Sequence, residues 1–111
     1  MEIDMEQKLE DIEGNVLEEN GKHITLKSIC INAALGHTES ERLSGEQKLN
    51  LYELAIKIRK GGVIDLTAEE IVTLKDRIGK LYYALVVGQG FDMLEGKEQK
   101  EEEEYGEDGK R

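Results

Sequence analysis

The sequence predicts a mainly α fold of the α+β kind: three to four helices packed around a central helix over 45–60, with a small N-terminal β-hairpin. Three observations predict it. First, Ser44-Gly45-Glu46-Gln47 and Thr67-Ala68-Glu69-Glu70 each place a hydroxyl at a helix start and a long polar acceptor three residues on. This is the capping-box arrangement, which satisfies backbone N–H groups left open in a first helical turn. Second, Gly61-Gly62 lies between the two helices so begun and suits a left-handed helix end. Third, apolar residues recur at helical spacing through 25–94, whereas 1–24 is punctuated by turn residues.

In residues 1–24, Ile3, Met5, Leu9 and Ile12 alternate loosely with acids, and Glu13-Gly14-Asn15 is turn chemistry. Val16-Leu17, a second turn at Glu19-Asn20-Gly21-Lys22 and then Ile24 complete a hairpin-like segment of one or two short strands. A helix over 4–12 is the competing expectation, because Met, Glu, Gln, Lys and Leu are good helix formers. Thr25 can cap a helix from Leu26 to about Leu35 that stops at Gly36. Leu26, Ile29, Cys30, Ala33 and Ala34 are its apolar side, and the two alanines permit close approach of a neighbour. His37 to Arg42 is a polar connector.

Over 45–60, Leu49, Tyr52 and Ile56 share one side of a helix, while Leu51, Leu54, Ala55 and Ile58 lie nearly opposite. A surface helix needs one apolar stripe, so two predict burial between two layers. Lys57, Arg59 and Lys60 complement the negative end of its dipole. Val63-Ile64-Asp65-Leu66 reads as a short extended link. Helix 68–82 has a single stripe of Ile71, Leu74, Ile78, Leu81 and Tyr82, with Asp76 and Lys80 spaced as an i,i+4 pair outside it. After a bend near Tyr83, a last helix carries Ala84, Val87, Phe91 and Leu94 on one side. Gly88 and Gly90 weaken it by about 1 kcal/mol each relative to Ala, a cost that close packing would offset.

Residues 1–95 form a single globular domain on this reading, hairpin-like over 1–24 and helical over 25–95. Residues 96–111 are expected to be a disordered acidic tail, since Glu101 to Glu104 and their neighbours offer almost nothing to bury. The net charge of −10 is concentrated at the ends: residues 1–22 hold eight acids against Lys8 and Lys22, while 23–95 hold ten acids against nine bases. Such acidity disfavours nucleic acid, whose phosphates demand clustered Lys and Arg. Cys30 is the only cysteine, which excludes an intramolecular disulfide and suits a reducing compartment. No apolar run approaches the roughly 20 residues that span a bilayer. Met1 to Glu6 is acidic where a secretory leader is basic and then apolar, so a cytoplasmic location is expected.

Chemistry-bearing groups are sparse. Gly88-Gln89-Gly90 matches part of a dinucleotide fingerprint but follows no strand and lacks the third glycine, so packing is the simpler role. His23 and His37 lie in turns or connectors without metal-ligand spacing, and Cys30 lies on an apolar stripe as a core thiol would. Asp65, Glu69 and Glu70 gather at a helix start, where the dipole favours carboxylates. Arg42, Lys48, Lys57, Arg59, Lys60, Lys75, Arg77 and Lys80 invite a nucleic-acid reading, with 68–82 and 84–94 as a helix-turn-helix. The second helix of that pair carries Asp92 and no base, so it lacks the groups that read a groove. No catalytic residue, metal ligand or cofactor is assigned. Tyr82, Tyr83, Phe91 and Met93 are the candidate partner-binding residues, being the largest groups near the C-terminal end.

The lines Ile24 to Leu35, Lys48 to Ile58, Leu66 to Lys75 and Val86-Val87-Gly88-Gln89-Gly90 resemble small uncharacterised proteins of tailed bacteriophages and prophages. The resemblance covers about residues 3–95 and transfers no active-site residue. It implies a short accessory protein inside an infected bacterium. The expected function is therefore a non-enzymatic accessory or assembly protein that binds another protein, from phage or host, or itself as a homo-oligomer. The alternatives are an acidic inhibitor that mimics phosphate towards a host nucleic-acid-binding or defence protein, and a small DNA-binding regulator.

Overall fold

Residues 1–96 are described in the computed structural model, so the tail expected over 96–111 lies outside the described residues apart from Gly96. The elements run β1 (Glu2–Asp4), β2 (Glu18–Glu19), β3 (Lys22–His23), α1 (Leu26–Leu35), α2 (Gly45–Ile58), β4 (Val63–Asp65), α3 (Ala68–Leu81) and α4 (Ala84–Leu94). The mainly helical α+β class is as the sequence predicts. The capping boxes at Ser44 and Thr67 form as read, and Thr25 makes a third with the Ser28 side chain. α4 begins at Tyr83 without a side-chain cap; Tyr82 and Tyr83 are extended and make the bend.

The N-terminal segment is more interwoven than a hairpin. Glu19-Asn20-Gly21-Lys22 does turn β2 into β3, with Asn20 and Gly21 at φ of +54° and +78°, the left-handed pair that a two-residue hairpin loop requires. β1 takes no partner from this hairpin. It pairs antiparallel with β4, Ile3 opposite Ile64, so the expected link over 63–66 is a strand. Both isoleucines face inward. Between these pairs the backbone N–H of Leu9 donates to Ile24, that of Leu17 to Leu9, and that of Ile24 to Leu17. That ring of bonds replaces the competing helix over 4–12. Gly61 and Gly62, at φ of +74° and +69°, turn the chain after α2, and Met5 donates to the Gly62 carbonyl at 2.8 Å.

The hub of the molecule is α1, not the helix over 45–60. α1 packs against α2, α3 and α4, while α2 and α3 scarcely touch each other. Ala33 and Ala34 lie buried on α1, and their small side chains let two helices approach one. α2 lies to one side and buries a single stripe, Leu51, Leu54, Ala55 and Ile58. α4 is also rotated from expectation: Val86, Gly90 and Met93 face the core beside Leu94, Val87 and Phe91 are half-buried, and Ala84 is exposed. Gly90 sets this rotation, since a Cβ there would stand 3.3 Å from Ile29 and 3.5 Å from Ile78, whereas one at Gly88 would meet open space. Gln89 fixes the other side of α4, accepting from the Glu10 N–H at 2.9 Å and donating to its carbonyl at 2.6 Å.

Candidate interaction surface

The outward side of α2 carries two exposed apolar groups on one helix face, whereas Ile12, Val63, Val72 and Tyr83 are exposed elsewhere in the chain. Leu49 and Tyr52 are 52% and 55% exposed, and Ile56 on the same stripe is half-buried. Their i, i+3, i+7 spacing is the pattern by which a helix presents a seam to another helix. Tyr52 also borders a hollow of about 460 Å³ beside Leu35, His37, Leu43 and Lys48, and Leu35 is itself 56% exposed. The hollow therefore joins Tyr52 on α2 to Leu35 at the end of α1 through a mixed wall that also bears Glu41 and Arg42.

The chain between α1 and α2 is held down by Arg77, whose side chain is 3% exposed. Its Nε donates to the Ala33 carbonyl at 3.1 Å and one Nη to the Gly36 carbonyl at 2.6 Å, while the other Nη pairs with Glu41. A guanidinium thus caps the C-terminal end of α1 and anchors the connector together. Arg77 holds the Glu41 carboxyl below its ordinary pKa, assisted by the Thr38 N–H and by Lys80. The signal in the sequence is positional: Arg77 occupies a core-facing place between Leu74 and Ile78.

A second hollow, of about 660 Å³, separates α2 from α3 over a floor that includes Leu51 and Leu54. Its bases are all paired with carboxylates, while Glu53 and Glu69 on its wall have no ion-pair partner among the described residues. Lys57 meets Glu70 at 2.8 Å across the gap, and Lys80 meets Asp76 at 3.3 Å along α3. At Glu70 burial works to raise the carboxyl, but the bonds from Lys57 and the Thr67 N–H outweigh it and leave it lowered. Lys75 pairs with Glu95 and lies 5.2 Å from the centre of the Phe91 ring. Four of the bases that suggested a nucleic-acid face are thus engaged by carboxylates.

Of the four residues singled out for partner binding, only Tyr83 is freely exposed, at 64%. Met93 is a core residue at 2%, Phe91 packs on the core beneath Lys75, and Tyr82 is half-buried against the core. Those residues do not form one patch. The second stripe of α2, expected to be buried between two layers, instead leaves Leu49 and Tyr52 exposed.

Cys30 is fully buried, and desolvation pushes its thiol up to about 12, which suppresses the thiolate. His23 lies 3.4 Å from Glu18 on the exposed β2–β3 hairpin. Among the described residues no three His, Cys, Asp or Glu converge as a metal site would, and no helix is long and apolar enough to cross a membrane. Compared with protein-family models, characterised proteins and solved structures, the chain matches none.

Proposed function

We propose that this chain is a non-enzymatic accessory protein that works by binding protein through the outward face of α2. The observation that carries the reading is the second stripe: Leu49 and Tyr52 stand more than half exposed on a helix whose opposite side already serves the core. Apolar groups exposed side by side on one helix face, unlike singly scattered ones, favour a contact surface. The paired state of Lys57, Lys75, Arg77 and Lys80 supports protein rather than nucleic acid as the partner. The phage-like resemblance of 3–95 supports an accessory or assembly role in an infected bacterium.

A photo-crosslinking residue at position 52 tests this, with one at Ile12, which is 88% exposed elsewhere, as the control. In cells expressing the full chain, position 52 should give a discrete protein adduct that disappears on adding Leu49→Glu. Position 12 should give none. Diffuse labelling from both positions, or an adduct indifferent to Leu49, overturns the reading.

The phosphate-mimic alternative draws support from a different feature. The eight acids of 1–22 sit on a segment ordered by backbone hydrogen bonds, which would hold their charges in fixed positions. It predicts that the chain displaces DNA from a basic DNA-binding protein at low salt, and that Asn and Gln replacements of these acids abolish the effect. Absence of displacement at low salt rejects it.

A further inference from the structure

We propose that the partner covering the outward face of α2 is a second copy of this chain, with the two α2 helices parallel about a two-fold axis. The inference rests on the binding reading above and adds the occupant, the direction and the pairing.

Leu49, Tyr52 and Ile56 fall at successive seam positions of a heptad, as a, d and a. The residues that flank such a seam decide who pairs and in which direction. Here they are Lys48 just before the first seam residue and Glu53 just after the second, both exposed. Among the described residues neither has a charged partner within ion-pair distance.

In a parallel pair each flank faces the opposite flank of its partner, five residues on. Lys48 of one copy then meets Glu53 of the other, and the two-fold axis makes the contact twice. An antiparallel pair brings like flanks together instead. The side bearing Glu46 and Glu53 would face its own copy, which is repulsive at Glu53 and relieved only by Lys60 beyond the helix end, while the side bearing Lys48 continues with Ala55 and gains no acid to pair with. The outward stripe lies roughly 150° around the helix from the buried one, so the two bodies extend away from each other. Gly45 and Arg59 occupy the adjoining d positions and end the seam after two turns. So short a contact falls below the roughly 1,200 Å² of a stable interface. The pairing is accordingly weak and concentration-dependent.

Sedimentation equilibrium of the full chain over a concentration series tests this, on the wild type, Lys48→Glu, Glu53→Lys and the double exchange. Each single exchange replaces two attractions by two repulsions and should weaken self-association about three- to tenfold. The double exchange should return it to within about twofold of wild type, because acid and base have merely traded places. Tyr52→Glu should leave a monomer with an unchanged far-ultraviolet spectrum. A wild type that stays monomeric at every concentration overturns the proposal, and so does a double exchange no better than the single ones. If the wild type is monomeric while position 52 still crosslinks a different protein in a Leu49-dependent way, the binding reading stands and self-pairing falls. If position 52 also crosslinks nothing, both fall.

Discussion

α2 and α3 begin alike and end as opposites. Each is 14 residues long and each starts on a capping box, Ser44 with Gln47 and Thr67 with Glu70. α3 commits its apolar side to the core through Leu74 and Ile78, and even its inward arginine serves the fold by holding the end of α1. On its outer side, Val72 is the only large apolar group that stands open. α2 satisfies the core with one stripe and carries a second whose Leu49 and Tyr52 stand exposed. Local chemistry builds both helices equally well, so capping does not account for the second apolar stripe on α2.

The largest test of that contrast sets Leu74→Ala against Leu49→Ala. Leu74 is fully buried, and its truncation should destabilise by about 2–5 kcal/mol, whereas Leu49→Ala should change stability by no more than about 0.5 kcal/mol. Urea unfolding of both variants reads this, and similar costs would mean that the outer stripe of α2 is part of the core after all. Arg77→Met comes next. It keeps much of the apolar stem but strips the Ala33 and Gly36 carbonyls of their donor, and should cost about 3 kcal/mol by the same measurement. A near-neutral result would mean that the connector needs no clamp.

Ser44→Ala and Thr67→Ala sharpen the likeness of the two helices. Each removes one half of a capping box and should cost about 1 kcal/mol, read as a shift in thermal midpoint. Unequal costs would show that one helix depends on its cap more than the other.

The smallest effect concerns acid. Glu41 is held below the ordinary 4.5 first by Arg77, so the stability gained from its ionised form is complete above that value. It is lost as pH falls through the lowered folded value. Glu41→Gln should therefore lie furthest below the wild type near neutrality and converge with it in acid. Two stability curves that stay parallel from pH 7 to about pH 3 would remove Glu41 from the clamp.

Helix starts were legible because a capping box is a local device: Ser44 and Gln47 need only each other and the backbone between them. The turn at Asn20-Gly21 was legible for the same reason, since positive φ is a demand on those two residues alone. The pairing of Ile3 with Ile64 was not, because its hydrogen bonds join segments some sixty positions apart and leave no spacing signal in either. The rotation of α4 stayed hidden because Gly90, which carries no side chain to mark a stripe, is the residue that meets Ile29 and Ile78. Arg77 was visible at an inward position, but the carbonyls it satisfies belong to α1.

The amino-acid order by itself determined where helices begin, where the chain turns, and that α2 would bear two apolar stripes, because periodicity and capping act within a few residues. Only the tertiary structure decided which stripe met a partner. Burial depends on how many helices can crowd one small-residue surface, and α1, with Ala33 and Ala34 buried, packs against α3 and against a single face of α2.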